Sequence, residues 1–519
     1  MISMGLKYLP RLFLLCVMLQ PAAALAGPRE AAPREDRAAP PSARANASAQ
    51  QAKRRYNQWK RDVAVSLEKS KKAKPQGFAR STTSIWTLVR AAFGLVVLVF
   101  LAWLLSMDRK AIRWKPVFYG LTLQAAFALV ILNPIVGRTA FQGINLAVGK
   151  LLSFAEAGTA FALQGVEPHL VTHMEAGHWV VGDVMAGRVS PAVKTLAFWV
   201  LPTIIFFSAL LALLYHLGVM QRIVEWVARL MQFFMKTSGA ETLSCAANVF
   251  VGQTEAPLLV RPFIEKMTQS ELAAVMTGGF ATVAGGVLAV YVAMLHDIPG
   301  IAGHLVTASV MAAPGALAIA KIVVPETENP VTGGLARVEV KRPDANSVEA
   351  VARGATDGMH LVLNVAAMLI AFVAMVALAD ALLGLVGGLL GIHLSLAKVL
   401  GWAISPLAWL MGTSWKEANT VGHLLGEKLV LTELIAYADL SQVQHQLSQR
   451  SAILTSYALC GFANIASIGI QIGGIGGIAP SRRSDLARLG LRTMLAGALV
   501  SCISATLAGL IYTLNHGFG

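Results

Sequence analysis

Apolar runs long enough to cross a bilayer recur along the chain, and they constrain its fold more than any other feature. They lie at about 85–106, 115–136, 194–219, 272–294, 302–324, 360–390, 428–445 and 490–515. A helix needs about 20 apolar residues to span the hydrocarbon core of a bilayer. Charged residues make up only 14% of the chain, whereas soluble proteins carry about 25%. The sequence therefore predicts an all-α polytopic membrane protein with about eight transmembrane helices.

The first 82 residues differ from the rest of the chain. Lys7 and Arg11 precede a short apolar stretch and an Ala-x-Ala site, which predicts a signal peptide at 1–26. An uncleaved signal anchor is the alternative. Residues 27–82 are rich in Ala, Pro, Lys and Arg, and this composition predicts a basic, largely disordered tail. Within it, residues 52–72 fit a membrane-surface helix or a solvated linker equally well.

Clusters of Lys and Arg in the loops predict the orientation of the chain. They follow the first and third apolar runs and recur in 336–353 and 482–492. Placing these loops on the cytoplasmic side puts the mature N-terminus outside, which agrees with the signal peptide. We therefore expect a multi-pass protein of the bacterial inner membrane with a periplasmic tail. This location excludes nucleic acid as a partner, despite a net charge of +15.

One segment between the predicted spans is polar and rich in histidine. Residues 141–165 are weakly amphipathic and predict a helix lying at the membrane interface. His169, His173 and His178 follow in what we expect to be a periplasmic loop. Without a Cys or paired acidic residues beside them, they indicate ordinary loop histidines rather than a metal site.

Two stretches of small residues do not have the pattern of a simple span. Residues 246–257 and 461–480 each combine Gly or Ala, a polar cluster and a Pro. Broken, polar backbone at membrane depth is tolerated only where it lines a cavity or is buried in protein. Such segments in two halves of a chain indicate a transporter's central site. We therefore expect two re-entrant helical hairpins and broken helices in repeat-related halves. A third interrupted segment, 404–425, competes with 461–480 as the second hairpin.

Two glutamates lie in these apolar surroundings, and an ionisable group there indicates a functional site. Glu255 follows Gln253 and Thr254, so donors, acceptors and a charge are grouped within three residues. Glu433 stands in the run LVLTELIAY. A carboxylate that accepts hydrogen bonds from a ligand recovers part of its desolvation cost. The alternative for each glutamate is a structural carboxylate paired with a neighbouring helix.

Four blocks of the sequence resemble the concentrative nucleoside transporters. Residues 252–262 (GQTEAPLLVRP) resemble the first hairpin motif of that family, and 276–285 resemble the broken helix that follows it. Residues 428–437 and 460–483 are similar to the later blocks. The similarity extends over roughly residues 85 to 515, and it says nothing about the signal peptide or the basic tail.

The resemblance implies a division of the membrane part and a function. It implies an N-terminal transmembrane scaffold part at 83–236, a transport core at 237–519, and a homotrimer. It also implies cation-coupled uptake of nucleosides by alternating access, with no cofactor. The alternative is a carrier of another polar solute, such as a free nucleobase. The sequence has no zincin, nucleophile-elbow or P-loop motif, and this argues against an enzyme.

The resemblance also implies the residues that hold the substrate. It assigns the nucleobase to Gln253, Thr254 and Glu255, with Val287 packing on it. It assigns the ribose hydroxyls to Glu433, Asn464 and Ser467, with Phe462 as an apolar wall. The chemistry agrees, because amide and hydroxyl groups suit the edge of a base while carboxylate, amide and hydroxyl groups suit vicinal hydroxyls. Such a pocket rejects a sugar that lacks a hydroxyl, since its own polar groups would be left unpaired.

For the coupling cation, the family's site falls on four residues, two in the first interrupted stretch (246–257) and two in the broken helix that follows it (276–285). They are Asn248, Val251, Thr282 and Val283. Side-chain and carbonyl oxygens from unwound backbone suit a hard cation. We therefore expect sodium, with a proton as the alternative.

Overall fold

A computed structural model describes residues 78, 84–133, 137–163, 166–175, 178–188, 201–332, 344–389, 391–392 and 394–516. The predicted signal peptide 1–26 and nearly all of the tail 27–82 lie outside these residues. The α-helices within the described part are α1 (Ile85–Leu104), α2 (Trp114–Leu132), α3 (Arg138–Leu163), α4 (Thr203–His216), α5 (Val219–Met235), α6 (Gly239–Ala247), α7 (Arg261–Ile264), α8 (Gln269–Ala281), α9 (Gly285–Met294), α10 (Ile301–Val323), α11 (Ser347–Leu389), α12 (Leu396–Leu410), α13 (Trp415–Val430), α14 (Glu433–Val443), α15 (Gln449–Leu459), α16 (Ile465–Ile478) and α17 (Arg483–His516). Short 3-10 helices lie at Ala256–Val260, Gln444–Gln446 and Pro480–Arg482.

The segment predicted as a histidine-containing loop forms a β-hairpin instead. Strands β1 (Val166–Glu175) and β2 (His178–Arg188) pair antiparallel, with an irregularity between Leu170 and Thr172. The sequence of this segment has five valines and has Ala-Gly between the strands, which favours a hairpin. It is a small β-element in an otherwise helical membrane protein.

Five helical segments of the described residues are long and apolar enough to cross a membrane. They are Ile85–Leu104, Trp114–Leu132, Gln269–Met294, Ile301–Val323 and Pro480–Asn515. Helices α4 and α5 add a sixth if they form one span, although they meet at an angle of 78°. These segments match the apolar character read from the sequence, and the number of eight crossings stays a prediction.

Helix α1 illustrates why a bilayer suits this chain. Ala91, Leu98 and Ala102 are buried on one face, whereas Phe93 and Phe100 on the other face are more than half exposed. Large apolar side chains along a whole helix face indicate contact with another apolar phase. The exposed face of α1 therefore fits lipid.

The polar interruptions form two hairpins and two broken helices. After α6 ends, the chain turns through 248–255, and the 3-10 helix Ala256–Val260 then packs against α6. Helices α13 and α14 pack side by side around Leu431 and Thr432. The predicted span at 428–445 is therefore wrong, because Leu431 is not helical and the Thr432 side chain caps α14 by accepting from the Ile435 N–H.

The same geometry identifies the second hairpin. It consists of 415–443, which shares only residues 415–425 with the predicted segment 404–425. The competing segment 461–480 instead begins in the break between α15 and α16 and continues as α16 itself (Ile465–Ile478). The break predicted at 276–285 is present, since α8 ends at Ala281 and α9 begins at Gly285.

Buried carboxylates anchor the base of the first hairpin and of the first broken helix. Glu241 and Ser238 form a capping box at the start of α6, and Glu271 and Thr268 form another at the start of α8. Lys321 of α10 lies 2.8 Å from Glu241 Oε2. Lys321 Nζ also donates to Ser270 Oγ, in the first turn of α8, at 3.0 Å. Lys321 therefore links the two helix starts, and breaking its buried ion pair would cost about 3–5 kcal/mol.

In the second half of the chain, one carboxylate anchors both the hairpin and the broken helix that follows it. Glu417 forms a capping box with Ser414 at the start of α13. It also accepts from the Ser451 hydroxyl, at 2.9 Å, in the first turn of α15. A single carboxylate thus satisfies donors at two helix N-termini, where negative charge is favoured. Both hairpins are therefore fixed at their bases, and their turns carry the predicted site residues.

Candidate functional site

The two broken helices cross at their breaks. The Phe462 N–H donates to the Thr282 carbonyl oxygen at 3.3 Å. Gly461 has φ = +123°, and a Cβ added there would lie 2.7 Å from the Phe280 carbonyl oxygen. Only glycine tolerates this backbone conformation and this close approach. The crossing brings the end of α8 and the start of α16 together, so polar groups from both halves of the chain meet.

Glu433 is the centre of one polar cluster at this crossing. It is 5% exposed and begins α14, whose N-terminus favours a negative charge. The Tyr291 hydroxyl of α9 donates to Glu433 Oε1 at 2.9 Å, and Asn464 Nδ2 donates to Oε2 at 2.9 Å. Each carboxylate oxygen thus has one donor, and its remaining lone pairs can accept from a ligand.

Two further side chains support this cluster from behind. Tyr437 stacks on Tyr291 with ring centroids 4.2 Å apart, and its hydroxyl donates to the Ser456 carbonyl oxygen. Lys428 is buried and donates to the Ala458 carbonyl oxygen at 2.8 Å, at the end of α15. A cation favours a helix C-terminus, so Lys428 stabilises the break on which Asn464 lies.

Gln253 is the centre of a second polar cluster, next to the first. Its Nε2 donates to Ser467 Oγ at 3.3 Å, and its Oε1 accepts from Gln471 Nε2 at 3.0 Å. Asn464 caps α16 by accepting from the Ser467 N–H. Asn464 and Ser467 therefore lie on one turn and connect the Glu433 cluster to the Gln253 cluster.

Two glycines allow the first hairpin to approach α8 and α16. A Cβ added at Gly279 would lie 2.8 Å from both Gln253 Cβ and Gln471 Nε2. A Cβ added at Gly474 would lie 2.7 Å from Thr254 Cγ2. Larger residues at either position would push Gln253 and Thr254 away from α16.

The other predicted substrate residues lie around these clusters in different ways. Val287 is buried on α9, one turn before Tyr291. Phe462 is half-buried at the crossing. Thr254 is half-buried against α16, whereas Glu255 is exposed and its carboxylate folds back over Gly252. Glu255 is thus in the hairpin turn but outside the hydrogen-bonded clusters.

The four residues predicted for the cation lie where the first hairpin meets the first break. A Cβ added at Gly278 would lie 3.4 Å from Asn248 Nδ2, and the Thr282 hydroxyl donates to the Gly278 carbonyl oxygen at 2.9 Å. The Gly285 N–H donates to the Phe250 carbonyl oxygen, which ties the segment beside Val251 to the break that contains Val283.

Asn248 carries the feature that best suits a cation. Its side chain is fully buried, and its Oδ1 has no hydrogen-bond partner among the residues that the structure describes. A buried, unpaired acceptor costs about 1–3 kcal/mol, so a bound cation would satisfy it. The oxygen-rich surroundings fit a hard ion.

Two cavities elsewhere do not contain the predicted substrate residues. One of about 830 Å³ lies between α2, α3, α10, α15 and α17. Another of about 350 Å³ is lined by Lys428 and by side chains of α1, α12, α13 and α17. The smaller one is lined almost entirely by apolar side chains. The larger one has amide side chains and His304 in its lining, but no carboxylate.

Four residues of the site were not predicted individually. Gln471 lies inside the block 460–483, Lys428 and Tyr437 lie inside 428–437, and Tyr291 lies four residues after Val287. Helical spacing is a signal for three of them, because residues four apart share a face, as Gln471 does with Ser467. Lys428 had a different signal, since a lysine in an apolar run needs a buried partner.

Comparison with protein families gives three matches along the chain. Residues 93–166 match the Na+ dependent nucleoside transporter N-terminus, 197–297 match the nucleoside recognition (gate) family, and 304–509 match the Na+ dependent nucleoside transporter C-terminus. Together they contain every residue of the two clusters.

Two relatives show how far the similarity extends. The chain is 40% identical over 436 residues to sodium/nucleoside cotransporter 1 of Mus musculus, covering 81% of this chain and 63% of that protein. It therefore spans less than two thirds of that relative's length. It is also 40% identical over 436 residues to an uncharacterized transporter of Haemophilus influenzae, covering 83% of this chain and 99% of the relative.

A solved structure extends the similarity to the fold. CNTnw in an inward-facing, substrate-bound state is 39% identical, with a TM-score of 0.74, and the match covers 83% of this chain and 99% of CNTnw. A variant of CNTnw in an outward-facing state gives a TM-score of 0.73. These relatives are transporters rather than enzymes. The chain belongs to the family of Na+ dependent, concentrative nucleoside transporters that its motifs resemble.

Proposed function

We propose that this protein takes up nucleosides across the bacterial inner membrane together with sodium, by alternating access. The observation that carries the proposal is the pair of polar clusters at the helix crossing. Glu433 and Asn464 hydrogen-bond to each other, and Ser467 hydrogen-bonds to Gln253. These groups come from both halves of the chain. Burying polar groups costs free energy, so their concentration at one buried place indicates a function.

The two clusters fit the two parts of a nucleoside. Glu433 and Asn464 offer a carboxylate and an amide side by side, which suits vicinal ribose hydroxyls. Gln253 offers an amide next to the Ser467 hydroxyl, which suits the edge of a nucleobase. Thr254, Val287 and Phe462 would add contacts at the margins, and Glu255 would join them on closure of the hairpin turn. A free nucleobase, as the alternative substrate, would leave the Glu433 cluster without a ligand.

Sodium is the cation that we propose for coupling. The buried, unpaired Oδ1 of Asn248 and the Thr282 hydroxyl lie beside unwound backbone at Val251 and Val283. Neutral oxygen donors of this kind suit a monovalent hard cation. The description of the matched family as Na+ dependent supports the same choice.

Alternating access and a homotrimer complete the proposal. CNTnw has been solved in both inward-facing and outward-facing states, which supports a moving transport core at 237–519 and a scaffold at 83–236. The hairpins suit movement because their bases are capped while their turns carry Gln253 and Glu433. The N-terminal tail would lie in the periplasm.

Uptake into membrane vesicles tests the substrate and the cation together. We expect labelled uridine and adenosine to accumulate when an inward sodium gradient is imposed, and not when only a proton gradient is imposed. Accumulation driven by protons alone would exclude sodium but keep the nucleoside. No accumulation under either gradient, with the protein inserted in the membrane, would exclude nucleosides and favour another polar solute.

Substitution of Asn248 tests the proposed sodium site. We expect Asn248→Ala to raise the sodium concentration for half-maximal uptake at least about tenfold, because losing one buried oxygen ligand costs about 1.4 kcal/mol or more. The measurement is uridine uptake against sodium concentration. Asn329→Ala removes an exposed amide and is the matched control. An unchanged sodium dependence in Asn248→Ala would place the cation elsewhere.

A further inference from the structure

A third polar cluster lies on the second hairpin, away from the substrate residues. His423 and Glu427 are one turn apart on α13, and Asp439 faces them from α14. One ligand atom from each of the three side chains lies within 4.8 Å of the others, and His423 Nε2 is 3.3 Å from Glu427 Oε1. Imidazole nitrogen and carboxylate oxygen at this spacing are ligands that transition metals accept.

Glu427 has an unsatisfied oxygen that points to a missing ligand. Its side chain is only 8% exposed, and its Oε2 accepts no hydrogen bond from a donor among the described residues. The group within hydrogen-bonding reach of Glu427 is a second carboxyl, that of Asp439. Buried carboxylates are normally paired with a cation or bound to a metal. Among the described residues, no Lys or Arg forms a salt bridge with Glu427 or Asp439.

The surroundings of the cluster are negative. Asp380 of α11 is close enough to interact electrostatically with His423 and Glu427. It is held in place by the Leu396 N–H at the start of α12, at 2.7 Å. With neutral imidazole, the cluster thus combines two carboxylates with a third nearby. A divalent cation would neutralise this charge.

We propose that His423, Glu427 and Asp439 form a binding site for a divalent transition metal, with zinc as the probe. Zinc takes imidazole and carboxylate ligands and often keeps water in a fourth position. The His423 side chain is 24% exposed, which gives the ion a route in. Glu427 would use Oε2, which accepts no hydrogen bond among the described residues.

The position of the site gives it an effect on transport. Asp439 lies six residues after Glu433 on the same helix, about 9 Å along its axis, and Glu427 lies on the other arm of the hairpin. A bound metal therefore clamps α13 to α14 behind the turn that presents Glu433. Because the turn can no longer adjust around a substrate, zinc slows uptake. This effect rests on the proposed function, whereas metal binding does not.

Zinc bound to the purified full-length protein tests the site directly. After equilibrium dialysis, we expect His423→Ala and Asp439→Asn to hold one zinc ion fewer per chain than the unmodified protein. His360→Ala removes an exposed histidine and should leave the count unchanged. Other surface sites, such as His296 and His445 beside Asp297, contribute equally to all variants, so only the difference matters.

Two further measurements separate a metal site from a structural role. His423→Cys supplies another zinc ligand, so it should regain the zinc ion, and a misfolded His423→Ala would not explain that recovery. Zinc at micromolar concentration should slow uridine uptake by the unmodified protein and have no effect on His423→Ala. Equal zinc counts in the unmodified protein and in His423→Cys, His423→Ala and Asp439→Asn would overturn the proposal, and Glu427 and Asp439 would then share a proton instead.

Discussion

Glu433→Gln is expected to reduce nucleoside uptake at least about a hundredfold while the protein remains folded in the membrane. The Tyr291 hydroxyl and Asn464 Nδ2 each donate to one carboxylate oxygen. Glutamine keeps the shape but replaces one oxygen with a donor, so one of these two groups faces another donor in a buried site. The lost charge also weakens the bonds to ribose hydroxyls. A loss of about 3 kcal/mol in substrate binding corresponds to this factor.

The measurement is initial uridine uptake, normalised to the amount of protein in the membrane. Glu265→Gln is the matched control, because it makes the same chemical change at an exposed glutamate. We expect it to transport normally. Near-normal uptake by Glu433→Gln would show that the carboxylate is structural, and the ribose assignment would have to be given up.

Gly461→Ala is expected to have the largest effect on stability. The position has φ = +123°, and the new Cβ would lie 2.7 Å from the Phe280 carbonyl oxygen and 2.9 Å from that of Ala281. Backbone strain and overpacking together cost about 2–5 kcal/mol. Neither carbonyl can withdraw easily, since both belong to the buried end of α8. The crossing of the two breaks should therefore loosen.

Thermal unfolding of the purified protein in detergent measures this cost. We expect the midpoint to fall by several degrees and uptake to be lost, because the crossing positions both polar clusters. Gly469→Ala is the control, since a Cβ there would have nothing within 4 Å. Equal midpoints for the two variants would mean that the breaks do not cross as closely as this geometry requires.

The sequence predicted which polar residues lie together better than it predicted the path of the chain. Polar residues in apolar runs are visible without a structure, and Gln253, Glu433, Asn464 and Ser467 do meet at one crossing. The length and hydropathy of the run 428–445 predict a span, and this prediction is wrong. Hydropathy does not distinguish a straight helix from two short helices folded together, and the two non-helical residues Leu431 and Thr432 decide between them.

Other residues of the site could not be predicted because their partners lie far away along the chain. The role of Tyr291 depends on a partner 142 residues away, and that of Gln471 on one 218 residues away. No local pattern contains such a separation. Helical spacing could place Gln471 on the face of Ser467, but only the folded chain shows that Gln253 lies opposite.

Because the two hairpins are capped at their bases, the residues that anchor the hairpins are separate from the residues that would recognise the solute. Glu241, Glu271 and Glu417 hold the helix starts, and within the described part of the chain their hydrogen bonds and ion pairs go to residues outside the polar clusters. The residues that would contact the solute lie instead at the turns and breaks. Anchoring and recognition thus depend on different residues of the same hairpins. A lineage of such carriers can exchange one cargo for another by altering the turns, without weakening the frame that keeps the protein folded.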